Sequence, residues 1–344
     1  MSQALRPDMP RMLLDWYERH ARDLPWRIGP ADRAAGIRPD PYRVWLAEIM
    51  LQQTTIPHGT RYFLDFTQRW PSIEDLASAK DEDVMAAWAG LGYYARARNL
   101  LKCAREVAAR GGFPETAQDL QALPGIGPYT SGAIAALAFG QRASAVDGNV
   151  ERVVSRQLAL DMPLKEAKPI IKRAVDERVP EDRPAEFAEA LMDLGATICT
   201  PKSPNCLICP LRESCLAHKQ GRPDAFPVKA KKLPKPQRFG HVFLLEANGA
   251  FLLERRPEQG LLGGMLGLPG SDWHRDSPQP MSDAPANVEW SEIGEVRHVF
   301  THFALTLRVW RGTAASQNAN GIWVPRNNVS GLPSVFAKAF KLAN

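Results

Sequence analysis

Four of the chain's five cysteines, Cys199, Cys206, Cys209 and Cys215, fall within seventeen residues of a 344-residue sequence. A disulfide framework would scatter them along a small secreted chain. The spacing Cys-x6-Cys-x2-Cys-x5-Cys instead puts four thiolates on one loop, where they can bind Zn²⁺ tetrahedrally or an iron–sulfur cubane. Zinc sites usually show two short Cys-x2-Cys knuckles. Here there is one, and the long first gap lets the chain wrap a larger object, which favours a 4Fe-4S cluster. Lys202 and Arg212 in the same loop are candidates to face phosphates. Cys103 stands in an apolar helical stretch and reads as a core residue.

The chain reads as multi-domain, with two or three domains expected at this length. Residues 1–225 show apolar residues at helical spacing in Met12–Tyr17, Val44–Leu51, Val84–Leu91, Leu100–Val107, Ile134–Phe139, Val150–Leu158 and Ala185–Ile198. Residues 226–238 form a stiff basic linker, with Lys229, Lys231, Lys232, Lys235 and Arg238 among Pro227, Pro234 and Pro236. From residue 239 to 344 the pattern is α+β. Phe239–Ala247, Asn248-Gly249 and Ala250–Glu254 read as a hairpin with a type I′ turn. Val296–Phe303, Leu305–Trp310 and Ile322–Val324 read as strands and Ser334–Leu342 as a closing helix. With 44% hydrophobic and 24% charged residues, wholesale disorder is excluded. The net charge of +5 permits a polyanionic partner. No apolar run approaches the roughly 18 residues of a membrane span, and Met1–Pro10 lacks the apolar core of a signal peptide, so a cytoplasmic protein is expected.

Leu123-Pro124-Gly125-Ile126-Gly127-Pro128-Tyr129-Thr130 joins two helical stretches. Glycines at 125 and 127 permit positive φ and close backbone approach, and the free N–H groups of the following helix suit a phosphate. Such contacts fix position on DNA without reading bases. Glu48 is the only polar residue in the window Val44–Leu51. A helix apolar all round is buried, so its carboxyl should be desolvated and hold its proton near neutral pH. Asp147 precedes the helix that starts near Val150, where N–H groups and the helix dipole should keep it ionised. One neutral acid and one retained carboxylate are what glycosidic cleavage through an oxocarbenium-like transition state requires.

These motifs together resemble the helix-hairpin-helix DNA glycosylase superfamily with an iron–sulfur loop, and are most similar to adenine DNA glycosylases of the MutY type. The likeness rests on Leu24-Pro25-Trp26-Arg27, Val44–Thr54, Gly90–Leu100, Leu123–Ile134, Val146–Val150, Ala190–Cys199 and the cysteine loop, and it extends over essentially the whole chain. It implies a mainly α glycosylase domain followed by a MutT-like (Nudix-like) domain. It also implies removal of adenine mispaired with 8-oxoguanine or guanine in double-stranded DNA, by a monomer bound to no membrane. By the same likeness Glu48 protonates adenine at N7, Asp147 stabilises the sugar cation, and Tyr129 and Asn149 assist. A lysine stands at the Tyr129 position in the lyase members, so a monofunctional hydrolase is implied. Gln53 and Tyr93 match residues entering the base stack, while Trp26, Arg27, Leu51 and Glu189 match the adenine pocket.

In the C-terminal part, Gly263–Gly270 matches the glycine-rich stretch of the MutT-related family, but Ser271–Pro285 is an Asp- and Pro-rich loop where the pyrophosphohydrolase signature should stand. Binding is therefore expected there rather than phosphate–metal hydrolysis. Phe300-Thr301-His302 matches the Phe-Ser-His loop that senses 8-oxoguanine. His298 and His302 lack a third metal ligand. Leu262 stands where a tryptophan is common, and Ile28–Pro39 is longer than the usual connection and is expected to be a surface loop. A pyrimidine-specific lyase is opposed by the missing lysine and the added β domain. A non-catalytic DNA-binding module would not need Glu48 in an apolar helix, and a redox protein would not need the phosphate hairpin.

Overall fold

Helices with one apolar face pack on one side; helices apolar on most sides must sit between neighbours. A computed structural model of the chain describes residues 4–229, 234–257, 260–279, 281–329 and 331–343. It divides into two compact units, Met1–Lys231 and Lys232–Asn344.

The first unit is built on two hydrophobic cores. One joins the helices Met9–His20, Gly148–Gln157, Leu164–Asp176 and Pro184–Thr197 through residues such as Leu13, Val153, Ile171 and Leu191. The other joins Pro41–Met50, Ile56–Arg69 and Tyr94–Ala109 through Trp45, Phe66 and Leu101. Two helices belong to both cores. Pro41–Met50 gives Val44 to the first and Trp45, Leu46, Ile49 and Met50 to the second. Pro128–Phe139 gives Ala133 and Leu137 to the first and Ile134 and Ala135 to the second. Small residues let this second strut pack closely. A Cβ at Gly132 would lie 2.5 Å from the Ser144 carbonyl oxygen.

Several boundaries depart from the sequence reading. Val84–Leu91 is helical only as part of Asp81–Ala87, because the chain then turns through Gly90 and Gly92, both at positive φ. The unit also contains helices at Pro30–Ala34, Ile73–Ser78, Ala117–Gln121, Leu216–Lys219 and, already named, Leu164–Asp176. The last contains Pro169, which interrupts the helical signal without breaking the helix. The basic connector is shorter than 226–238. Phe226 is buried and the Val228 carbonyl accepts from the Leu164 N–H at 3.0 Å, while Gln237 and Arg238 already belong to a strand. Residues 230–233 lie outside the described residues.

The second unit contains β1 (Gln237–Ala247), β2 (Ala250–Arg255), β3 (Leu266–Gly267), β4 (Trp290–Val299), β5 (Ala304–Thr313) and β6 (Ile322–Pro325). The sheet runs β3-β2-β1-β5-β4, with β6 also paired to β2. Asn248 and Gly249, at φ 51° and 73°, make the two-residue turn that the Asn-Gly pair calls for. β1 and β5 are parallel, from Gln237 opposite Ala304 to Glu246 opposite Thr313. The helix Ser334–Lys341 packs Val335, Phe336 and Ala339 against Leu244, Phe251 and Leu305. Among the described residues, 271–285 form no helix.

Gly132→Ala is expected to lower stability by about 1–3 kcal/mol, because backbone must yield to the new methyl. Gly148→Ala, with no atom within 4 Å of the added Cβ, is expected to change it little. Thermal denaturation of the two variants checks the contrast.

Candidate active site

A cleft of about 720 Å³ opens where the two shared helices meet the rest of the first unit. Its walls bring together Trp26, Arg27, Glu48, Leu51, Gln53, Gly125, Gly127, Tyr129, Asp147, Asn149 and Glu189. Sequence positions 26 to 189 thus converge on one hollow.

Glu48 sits in the last turns of Pro41–Met50, on the face left between the two cores. Burial pushes its pKa up to about 7; the Tyr129 hydroxyl, which donates to it, pulls the other way, and the nearby Asp147 charge adds to the rise. Arg43, the cation closest in sequence, does not neutralise it. That guanidinium donates to the Pro25 carbonyl at 3.0 Å and lies over the Phe63 ring. Tyr129 is held far above the usual phenol value, first by burial and then by the charges of Glu48 and Asp147.

Asp147 is the N-cap of Gly148–Gln157. Its Oδ1 accepts from the Asn149 and Val150 N–H groups at 2.9 and 2.8 Å, and its Oδ2 accepts from Asn149 Nδ2 at 2.7 Å. These bonds favour the ionised form, as expected. The net direction is nevertheless upward from the usual aspartate value, because burial outweighs them. Asn149 is itself fixed: its Oδ1 accepts from Arg152 Nη2 at 2.8 Å.

A charge network backs the cleft, and most of it carries no local sequence signal. The Tyr17 hydroxyl donates to Glu189 Oε2 at 2.8 Å. Arg22 and Arg27 pair with Asp193 Oδ1 at 2.6 and 2.8 Å, and Arg27 also lies 3.7 Å from Glu189 Oε1. The segment Ile28–Pro39 lies mostly at the surface, as expected, but it is not all loop. It folds Pro30–Ala34 into a short helix and turns Arg33 inward, with a nitrogen 3.5 Å from Glu189 Oε2. The buried carboxylate supplies the reason for that inward turn.

Gln53, which lines the cleft, and Tyr93 both have left-handed backbones, at φ 57° and 51°. Such geometry costs roughly 1–3 kcal/mol for a non-glycine residue and clusters at functional sites. Tyr93 is 57% exposed, so it is no core aromatic. Tyr93 does not line the cleft itself, but Arg96 ties the two positions. Arg96 donates to the Ile49 and Gln52 carbonyls at 3.0 and 2.7 Å and lies over the Tyr93 ring. Gly125 uses positive φ (77°) and packs on Asn99, whereas Gly127 does not. Gly127 caps Pro128–Phe139 at φ −92°, with open space where a Cβ would stand.

The cysteine loop docks on the body of the Asp147-capped helix. Arg152 donates to the Gly195 and Cys199 carbonyls at 2.6 and 2.7 Å. Arg156, fully buried, donates to the Thr200 carbonyl at 2.7 Å and to Cys199 Sγ at 3.2 Å. Cys199, Cys206, Cys209 and Cys215 line one small hollow together with Arg156. Among the described residues, no three His, Cys, Asp or Glu side chains form a group suited to a single metal ion. Four soft thiolates around a shared space, with a cation beside them, fit an anionic iron–sulfur cluster. Cys103 is buried in the second core, as expected. In the other unit, Phe300, Thr301 and His302 form the turn between β4 and β5. Phe300 stacks on Trp273 at 5.6 Å, and Thr301 and His302 are exposed.

This chain is similar to the adenine DNA glycosylase of Mus musculus, at 35% identity over 357 residues that cover 87% of this chain and 69% of that protein. The chain belongs to the adenine DNA glycosylase family. The relative from Buchnera aphidicola (subsp. Schizaphis graminum) is 30% identical, with 96% of this chain and 97% of that one covered. Family models described as HhH-GPD superfamily base excision DNA repair protein, iron-sulfur binding domain of endonuclease III, and NUDIX domain match residues 46–180, 199–215 and 241–342. A solved thermostable thymine-DNA glycosylase is 28% identical, with a TM-score of 0.53 over 62% of this chain and 95% of that one. The protein is therefore a DNA glycosylase of base excision repair, with a 4Fe-4S loop at 199–215 and a Nudix-like second unit. No helix among the described residues is long and apolar enough to cross a membrane.

The folded pKa of Glu48 lies above its unfolded value of 4.5, at about 7. The native state therefore binds the extra proton between those values, and stability falls as pH rises through that window. Glu48→Gln removes the dependence. The variant is expected to gain on the order of 2–3 kcal/mol over the parent at pH 8 and almost nothing at pH 4, as read by denaturant unfolding at the two pH values.

Proposed function

We propose that the chain is a monofunctional glycosylase that hydrolyses the bond between adenine and deoxyribose where adenine lies opposite 8-oxoguanine or guanine. The observation that carries this is the shared cleft: Glu48, protonatable near neutral pH, faces the same hollow as Tyr129 and the capped Asp147. Residues 1–225 do the chemistry, and 239–344 read the opposite base.

A base within a duplex cannot reach these carboxyls, so adenine is extruded into the cleft. Gln53 and Tyr93 enter the stack beside the lesion, and the backbone around Gly125 and Gly127 holds the phosphates. Trp26, Arg27, Leu51 and Glu189 wall the base. Glu48 gives its proton to N7, the C1′–N9 bond breaks, and neutral adenine leaves with that proton. Asp147, aimed by Asn149, faces the positive charge left on the sugar. Water adds at C1′ and its proton restores Glu48. The four cysteines hold the cluster, which when bound supplies a charged scaffold that fixes the loop. With Tyr129 in place of a lysine, no amine attacks the sugar, and the strand stays whole. The protein works as a monomer in the cytoplasm on nucleoid DNA.

Single-turnover reactions on duplexes with A opposite 8-oxoguanine, A opposite G and T opposite G test this. Adenine is expected from the first two, with strand breaks only after alkali; breaks without alkali would show a lyase. The rate should fall as pH rises through about 7, because Glu48 then loses the proton it must give. Glu48→Gln should abolish release and keep DNA binding.

Lesion preference is assigned to the turn Phe300-Thr301-His302, whose Phe300 anchors it while Thr301 and His302 face solvent. The double change Thr301→Ala, His302→Ala is expected to cut the preference for 8-oxoguanine over guanine about tenfold, consistent with loss of one or two hydrogen bonds. The ratio of the two single-turnover rates measures it.

A further inference from the structure

Arg33 has no part in the mechanism above, yet it lines the cleft. Its side chain is only 10% exposed, and its Nε is closed to water without a hydrogen-bond partner. The nearest charge, Glu189 Oε2, is 3.5 Å away and already accepts from Tyr17 at 2.8 Å. The other two guanidiniums differ: Arg22 and Arg27 have close partners in Asp193, at 2.6 and 2.8 Å. A buried guanidinium with donors to spare is costly unless an acceptor arrives. The segment that delivers it is not idle length, since Pro39 at its other end also lines the cleft.

The wall thus presents a carboxylate acceptor, Glu189, beside an under-used donor, Arg33. An adenine edge offers the complement: the 6-amino group donates and the adjacent ring nitrogen accepts. If Glu48 serves N7, the edge left for this pair is N1 with the 6-amino group. We propose that Arg33 is a substrate-binding residue that donates a hydrogen bond to N1 of the extruded adenine while Glu189 accepts from the 6-amino group. This rests on the functional reading above and adds a contact supplied by the 28–39 segment.

The test uses the full chain and duplexes carrying adenine, 1-deazaadenine or 3-deazaadenine opposite 8-oxoguanine, under saturating single-turnover conditions. The parent protein is expected to lose about ten- to hundredfold in rate on 1-deazaadenine beyond its loss on 3-deazaadenine, as for a hydrogen bond from a charged donor. Arg33→Ala should lose a similar factor on adenine and nothing further on 1-deazaadenine, and Arg33→Lys should recover part of the adenine rate. Equal losses by Arg33→Ala on all three bases would mean that Arg33 acts only through the fold, and would overturn the proposal. So would a parent protein that releases 1-deazaadenine as fast as 3-deazaadenine, a result that needs no variant to fold. A parent protein that releases no adenine at all would instead bring down the functional reading itself.

Discussion

The cap that Asp147 places on Gly148–Gln157 is the interaction on which the cleft and the cysteine loop both depend. Three donors converge on its two oxygens. The same helix buries Val150, Val153 and Val154 in one core and sends Arg152 and Arg156 out to hold the cysteine loop. Asn149 joins the two roles, donating to Asp147 and accepting from Arg152. Site and loop are therefore two ends of one ten-residue element. Gly195 makes the fit tight, since a Cβ there would stand 2.5 Å from that of Asn149.

Burial and hydrogen bonding oppose each other at both carboxyls, and the balance differs. Glu48 has one donor, Tyr129, on an otherwise apolar stretch of helix, and burial wins. Asp147 has backbone and side-chain donors, and Arg152 nearby, and the direction there is still upward. The two carboxyls differ in how many N–H groups their helix positions expose. Glu48 lies late in its helix, where N–H groups are already used; Asp147 lies where they are free.

What was legible in the sequence was what is encoded locally. Cysteine spacing, the glycine turn at 125, the lone Glu48 in an apolar run and Asn248-Gly249 each state their geometry within a few residues. The charge network behind the cleft was not legible, because its partners are far apart in the chain. Arg33 and Glu189, or Arg22 and Asp193, meet only after two cores have formed. The 28–39 segment reads as surface because it is longer than the usual connection, and it is mostly exposed; what cannot be read is the inward turn of Arg33, whose partner lies on a distant helix. At Asp147 the cap can be read from sequence neighbours, whereas the enclosure that turns its pKa upward cannot. Gly127 looked like a left-handed position and is an ordinary helix cap, its bareness leaving room rather than rotation.

Consecutive residues Val44 and Trp45 are embedded in different cores, four positions or fewer before the acid. Neither half can slide past the other without shearing the strut that carries Glu48. A cavity opened far away, in either half, is thus transmitted as a displacement of Glu48. Warming such a molecule should silence it by misalignment before the chain melts, and its working range is set by the looser of its two halves.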